Sequence, residues 1–353
     1  MPQMHFSEGS SPSSSLGSTS SRHLDAIDSE ALQRVLRILS LEGYRFTTPT
    51  PLTHQRVLLN RHGRSAGNLR DIFGWSLPFT PNVVSPELLS AMDSAGILRQ
   101  VATRLGNAAL SSRVRVASLG DDLFVHAAFP TTQSDAVFFG PDTYRFARLL
   151  RQALCNRLVT GDAPSSLPLR VLDIGCGSGA GGLVAARALA EFGCRVEMTL
   201  NDINPVALEY ASVNAAYCQI PVELALGDAL SSVSGQFDLI LSNPPYLSDG
   251  ERRAYRHGGD RLGRALSVRI ATESLSRLAP QGQLVLYTGV AMVDGIDPFY
   301  TELAPVLASA GFACHYEEID PDVFGEELEQ SAYSQVDRIA AVGLVARRRS
   351  GAV

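Results

Sequence analysis

The spacing of apolar residues changes character at about Phe138. From there on, apolar strand-like runs alternate with stretches that have helical spacing. The runs lie at 170–174, 196–200, 237–242, 283–288 and 338–346, and the helical stretches at 181–192, 205–216, 264–278 and 300–310. Strands that alternate with helices indicate a parallel sheet covered on both faces. The pattern predicts an α/β, doubly wound domain over residues 136–350, and ligands of such sheets bind at the carboxyl ends of the strands.

The N-terminal part of the chain has a different pattern. Residues 1–22 are rich in serine and poor in apolar residues, so we expect a disordered tail. Between Leu24 and Ser40 the apolar residues recur at helical spacing, and Gly43 is placed to end that helix.

A second N-terminal helix is expected after Ser85, a suitable N-cap, and should run toward Gln100. Two short apolar runs, 114–118 and 123–127, then predict a hairpin. Residues 23–135 are therefore expected to form a smaller α+β domain. A winged-helix-like fold is one form it could take, with substrate recognition or covering of the site as its role.

Composition narrows the class of protein. Of the 353 residues, 45% are hydrophobic, yet no apolar run reaches the roughly 18 residues that a membrane span needs. The N-terminus lacks the apolar core of a secretory signal, and the five cysteines form no CxxC pair. We therefore expect a soluble cytoplasmic protein without a metal site. The net charge of −6 argues against a nucleic acid as the main partner, and the oligomeric state stays open.

A glycine-rich loop follows the first strand of the α/β part. Glycines at 175, 177 and 179 allow a tight turn and close approach of a ligand. The stretch also satisfies G-x-G-x-x-G, a weak dinucleotide signal that keeps an NAD-dependent dehydrogenase as a distant alternative. Asp173 lies inside the strand end, where its carboxylate can accept from an ammonium group. The Asp-x-Gly-x-Gly-x-Gly pattern resembles motif I of class I S-adenosylmethionine-dependent methyltransferases, which implies a Rossmann-like seven-stranded sheet and S-adenosylmethionine as cofactor.

Acidic residues follow the next two strands. Asp202 can bind both ribose hydroxyls, or alternatively cap the helix that starts at Pro205. Ile203 is expected to pack on the adenine. The resemblance implies that Asp228, followed by Ala229, accepts from the adenine amino group, whereas an isolated Gly-Asp would indicate only a turn.

The most specific pattern is Asn243-Pro244-Pro245-Tyr246, directly after the run 237–242. The Asn243 side-chain oxygen and the Pro244 carbonyl can each accept an N–H from an acceptor amine, which would aim its lone pair at the cofactor methyl. Tyr246 offers a flat face for stacking on a planar group. The motif resembles that of methyltransferases acting on exocyclic amines of adenine and guanine or on glutamine side chains. Positioning can supply most of the acceleration of such a displacement.

Two flanking segments resemble parts of protein-glutamine methyltransferases. The segment 138–144 is similar to their gate before motif I, which implies that Asp142 and Thr143 lie at the cofactor, although Gly140 stands where that family has arginine. The segment 255–263 resembles their glycine-rich substrate loop, and its other interpretation is a surface loop.

The resemblance implies an N-methyltransferase whose acceptor is an amino or amide nitrogen of a small molecule or protein. An alternative is a methyltransferase-like cyclase, similar to the azetidine-2-carboxylate synthases of bacterial secondary metabolism. There S-adenosylmethionine itself is the substrate, and azetidine-2-carboxylate and methylthioadenosine are the products. A second alternative is a non-catalytic S-adenosylmethionine sensor. The first 135 residues match neither the helical bundle of release-factor enzymes nor the duplicated domain of ribosomal guanine methyltransferases, so the acceptor stays open.

Overall fold

The computed structural model describes residues 27–102, 106, 108–159, 167–251 and 253–349, so the expected tail lies outside the described residues. The helices are α1 (Ser29–Leu41), α2 (Pro51–Asn60), α3 (Pro86–Ser94), α4 (Pro141–Val159), α5 (Ala180–Glu191), α6 (Pro205–Tyr217), α7 (Ala265–Leu275) and α8 (Pro298–Ser309). The strands are β1 (Leu98–Ala102), β2 (Ala108–Ser112), β3 (Val114–Leu119), β4 (Asp122–Ala127), β5 (Leu169–Ile174), β6 (Val196–Asp202), β7 (Val222–Leu226), β8 (Phe237–Ser242), β9 (Leu278–Met292), β10 (Phe312–Asp320) and β11 (Arg338–Arg348). In the ranges given above, no helix has both the length and the apolar character required to span a bilayer.

The C-terminal part is built on one seven-stranded sheet in the order β10-β11-β9-β8-β5-β6-β7. Strands β5 to β9 pair in parallel, while β11 pairs antiparallel with both β9 and β10. The chain order reverses between β8 and β5, and such a switch point is where open α/β sheets bind ligands. The predicted Rossmann-like, doubly wound α/β fold is confirmed.

All five predicted runs are strands of this sheet, and the four predicted helical stretches correspond to α5, α6, α7 and α8. The edge strands β7 and β10 and the helix α4 of this part were not predicted, nor were α2, β1 and β2 of the N-terminal part.

One predicted helix end in the N-terminal part is wrong, and another lies outside the described residues. Helix α1 begins at Ser29 because the Asp28 carboxylate accepts from Ala31 N at 2.9 Å and caps it, whereas Leu24 lies outside the described residues. Ser85 caps α3 as predicted, but α3 ends at Ser94 rather than continuing toward Gln100. Gly96 has a φ of +68°, a left-handed turn from which the chain enters β1.

The N-terminal part packs on one face of α6. The predicted hairpin is present as β3 and β4. Its core, which includes α1, α3 and this hairpin, continues into Ala207, Tyr210 and Val213 of α6. The two parts therefore share one hydrophobic cluster, while the boundary at 135/136 stays a prediction.

Candidate active site

A cavity of about 380 Å³ opens at the carboxyl ends of β5, β6 and β8. Its size is in the range of pockets that hold small organic ligands. Among the residues singled out from the sequence, those that line the cavity are Asp142, Thr143, Asp173, Gly175, Gly177, Asp202, Ile203, Asp228, Ala229, Asn243, Pro244 and Tyr246.

Gly179 is the exception among the predicted site residues, because it does not line the cavity. It occupies the N-cap position of α5 with a φ of +79°, and an added Cβ would lie 3.2 Å from Ala211 Cβ. Gly179 turns the chain from the loop into the helix, and its contact with a ligand stays a prediction.

The glycine loop leaves an open cradle for a ligand. Gly175 and Gly177 have φ values of +68° and +55°, and an added Cβ at either position would meet no atom within 4 Å. Gly182 instead packs closely, since a Cβ there would lie 2.5 Å from the Leu200 side chain. The loop thus closes on β6 behind it and stays open toward the cavity, as a bound cofactor requires.

Asp173 is held at the base of this cradle. Its Oδ2 accepts from Gly182 N at 2.7 Å, and the residue is only 2% exposed. Burial raises the pKa of this carboxyl to about 7. A cationic group brought into the cavity would stabilise the ionised form.

Asp202 supports the other side of the loop. Its Oδ2 accepts from Gly177 N and its Oδ1 from Asn204 N, both at 2.9 Å. Burial raises the pKa of Asp202, although these backbone donors oppose the shift. The alternative role as the cap of α6 is wrong, because the Asn204 side chain caps it by accepting from Val206 N.

Ile203 and Asp228 differ in how free their side chains are to contact a ligand. Ile203 is 61% exposed, so its apolar surface is free to cover a flat ligand. Asp228 forms two hydrogen bonds with Arg269, at 2.6 and 3.0 Å, and these bonds lower its pKa. Any contact of Asp228 with a ligand amine therefore competes with Arg269, a partner that the sequence did not indicate.

The Asn243–Tyr246 segment, called the acceptor loop below, begins where β8 ends. Ser242 Oγ donates to Ile174 O at 3.0 Å, which ties the end of β8 to the end of β5. Asn243 is half-buried, and its side-chain amide has no hydrogen-bond partner in the described part of the chain. A buried strand thus presents an amide with unused hydrogen-bonding capacity to the cavity.

Tyr246 is fixed more firmly than the sequence suggests. Its hydroxyl donates to Asp142 Oδ2 at 2.5 Å, and its ring makes an edge contact with Phe324 at 6.0 Å between centroids. The ring lies directly against Gly289, where any Cβ would overlap it. Only 7% of the residue is exposed, so little of the ring is open to the cavity that it lines, and stacking on a ligand stays a prediction.

Asp142 is correspondingly less available to a ligand than predicted. Besides the Tyr246 hydroxyl, its carboxylate accepts from Tyr287 Oη at 2.7 Å and from Arg145 Nη1 at 3.1 Å. Burial raises its pKa, and these donors oppose the rise. Neither tyrosine contact was visible in the sequence pattern.

The segment 255–263 packs on the acceptor loop. Gly258 N donates to Leu247 O at 2.9 Å, and an added Cβ at Gly258 would lie 2.6 Å from Tyr246 Cα. Tyr255 stacks on Phe138 at 6.2 Å, and both rings line the cavity. The interpretation of this segment as a mere surface loop does not fit these contacts.

Residues from the N-terminal part also reach the cavity, although the sequence did not single out which ones. Pro51 begins α2, and Phe129 follows β4. Both residues line the cavity, so the N-terminal part contributes to whatever binds there.

Residues 152–291 match the family model described as the methyltransferase small domain. A release factor glutamine methyltransferase of Koribacter versatilis is 34% identical over 148 residues, 38% of this chain and 51% of the relative. A ribosomal RNA small subunit methyltransferase C of Haemophilus influenzae is 32% identical over 127 residues, 36% of each chain. The structure of an S-adenosylmethionine-dependent methyltransferase from Agrobacterium tumefaciens superposes with a TM-score of 0.43 and 19% identity, covering 75% of this chain and 80% of that one.

The stretch 152–291 is therefore similar to a methyltransferase domain, while the activity and the cofactor of this chain are matters of proposal. The chain spans about half the length of the release factor relative that it matches. The expectation that a nucleic acid is an unlikely, though not excluded, partner is unsupported, since one relative is named for ribosomal RNA.

Proposed function

We propose that the chain is an S-adenosylmethionine-dependent N-methyltransferase that holds an amino or amide nitrogen on the acceptor loop. The observation that carries this proposal is the unpartnered Asn243 amide at the end of β8. It faces the same cavity as the open cradle formed by Gly175 and Gly177. An acceptor site and a cofactor cradle therefore share one enclosure.

In this proposal Asp173 and Asp202 hold the amino and ribose groups of the cofactor. The bound cofactor supplies an electrophilic sulfonium methyl. Asn243 Oδ1 and the Pro244 carbonyl accept the two N–H groups of the acceptor, which leaves the nitrogen lone pair directed away from them. The chain's contribution is then orientation and exclusion of water rather than strong acid or base catalysis.

The acceptor proposed first is an amide or amine carried by a protein or a small molecule. Support comes from the release factor relatives, which are named for glutamine methylation. Their similarity spans only part of this chain, whereas Pro51 and Phe129 add a wall from the N-terminal part. Because another relative is named for ribosomal RNA, the search for the methyl acceptor should also include RNA.

The first experiment incubates purified protein with S-adenosylmethionine alone and resolves the products by mass spectrometry. We expect bound, unchanged cofactor, which means that an acceptor is required. Rapid release of methylthioadenosine with a cyclic amino acid would overturn the proposal in favour of the cyclase.

The second experiment incubates the protein with methyl-labelled S-adenosylmethionine and cell extract. Treating the extract with protease or with RNase shows whether the methyl acceptor is a protein or an RNA. Asn243→Ala should lower methyl incorporation by roughly 10²- to 10³-fold, the size of losing one positioning hydrogen bond in an active site, with cofactor affinity unchanged. Asn60→Ala, at an exposed asparagine ending α2, is the matched control. Equal incorporation by wild type and Asn243→Ala, or none in any extract while the cofactor binds, would contradict the catalytic role.

A further inference from the structure

We infer that Asp142 is a positioning residue for methyl transfer, which sets the acceptor loop through the Tyr246 hydroxyl. This inference rests on the proposed function. It departs from the sequence expectation that Asp142 touches the cofactor. The observation behind it is the hydrogen bond of 2.5 Å from the Tyr246 hydroxyl to Asp142. This bond joins the first turn of α4 to a loop 104 residues further along the chain.

The carboxylate of Asp142 joins three elements of the fold. One oxygen accepts from Tyr246 on the acceptor loop, and the other accepts from Tyr287 on the central strand β9. Arg145, one turn along α4, donates to Asp142 and also to Asp320 at the end of β10, at 2.7 Å. The residue is 6% exposed, so its charge is balanced by these donors rather than by water.

Most of the Tyr246 surface is already occupied by packing. Its ring lies on Gly289, and its backbone lies against Gly258 and Gly263, where any added Cβ would overlap neighbouring atoms. The hydroxyl bond to Asp142 therefore fixes the end of a side chain whose base is fixed by the loop. Asn243 and Pro244 precede Tyr246 on the same short loop, so a change in the seating of Tyr246 moves the two acceptors of the substrate nitrogen.

A direct ligand role for Asp142 fits these contacts less well. Three donors already use the carboxylate, two of them on Oδ1 and one on Oδ2. A carboxylate offers about four acceptor positions, so little capacity is left for a cofactor group. Asp173 and Asp202, by contrast, each use their carboxylate only for backbone N–H groups at the cradle.

The test compares Asp142→Asn with two matched variants in the full-length protein. Asp320→Asn removes a carboxylate from the same network without a contact to Tyr246. Tyr287→Phe removes the other tyrosine bond to Asp142. The chain has ten tyrosines, so fluorine NMR of protein labelled with 3-fluorotyrosine can follow Tyr246, assigned by its absence in Tyr246→Phe.

We expect Asp142→Asn to shift the Tyr246 resonance and lower methyl incorporation, while the dissociation constant for S-adenosylmethionine stays within about threefold of wild type. Asp320→Asn should leave the Tyr246 resonance in place. Adding Tyr246→Phe to Asp142→Asn should cause little further loss of incorporation, because both changes act on the same hydrogen bond, which the asparagine variant weakens and the phenylalanine variant removes.

Two outcomes would overturn the inference. A loss of cofactor affinity of about 10- to 150-fold in Asp142→Asn is what removal of a charged hydrogen bond to the ligand predicts. An unchanged Tyr246 resonance in that variant would show that the bond does not hold the ring. Neither readout needs methyl transfer, so both decide the role of Asp142 even if wild type proves to transfer no methyl group.

Discussion

The pH dependence of cofactor binding should be set largely by one residue, Asp173. Its burial raises the pKa to about 7, so the carboxyl is mostly protonated in the empty cavity at pH 6. An ammonium group binds best to the ionised form, while free α-amino groups lose their proton near pH 8. We expect affinity for S-adenosylmethionine to rise between about pH 5.5 and 7 and to fall above pH 8, as measured by calorimetry. A flat profile for wild type would refute this assignment.

The same carboxyl should make the empty protein less stable as the pH rises. Its folded pKa of about 7 lies above the ordinary value of 3.8, so between these values the folded state holds a proton that the unfolded chain has released. Stability is therefore lost as the pH increases through that window. Asp173→Asn should raise the melting temperature of the empty protein at pH 8 relative to wild type while weakening cofactor binding. Asp238→Asn, at a half-exposed strand position, serves as the control, and a lower melting temperature for Asp173→Asn would argue against the raised pKa.

At the scale of elements, the glycine-rich segment 255–263 should tolerate no side chain at Gly258. A Cβ there would overlap Gly263 O and approach Tyr246 Cα at 2.6 Å, so Gly258→Ala must displace the acceptor loop. We expect an activity loss of about 10²-fold, as for other small displacements of reacting groups. Gly250→Ala is the matched control because its Cβ would meet nothing within 4 Å. Similar activity of the two variants would mean that the acceptor loop is free to move.

The elements found from the sequence are those with strong local signals. The buried strands β5, β8 and β11 are rich in apolar residues, and the glycine loop carries its own turn chemistry. The edge strand β7 has no fully buried position, and the edge strand β10 is mixed in polarity. Neither sequence therefore shows a regular alternation of apolar and polar residues. Helix α4 did carry a signal, since Phe146, Leu149 and Ala153 recur at helical spacing.

At the scale of the whole molecule, the site depends on contacts that no local pattern encodes. Local motifs located twelve of the residues that line the cavity, including Asn243, Pro244 and Tyr246 of the acceptor loop. They did not reveal that Arg269 pairs with Asp228, that Tyr246 bonds to Asp142, or that the N-terminal part supplies Phe129. Each of these is a pairing between residues far apart in sequence, which only the packing of the sheet determines.

The residue that most directly couples the two parts of the chain is Asn214, on the face of α6 covered by the N-terminal part. It is fully buried, its Oδ1 accepts from Val125 N at 2.9 Å, and its Nδ2 donates to Val125 O and to Ser178 O. Asn214→Leu would leave buried backbone groups of β4 and of the glycine loop unpaired, which costs roughly 2–5 kcal/mol of unfolding free energy.

Because Ser178 lines the cavity, Asn214→Leu should also weaken cofactor binding, whereas Asn60→Ala should change neither property. The shared hydrophobic cluster between α1, α3, the hairpin and α6 makes the two parts one cooperative unit, so calorimetry should record a single transition that moves to lower temperature as a whole. Two transitions, of which only one moves, would mean that the N-terminal part unfolds independently. Its contribution to the cavity wall through Pro51 and Phe129 would then depend on a docking equilibrium rather than on the fold itself.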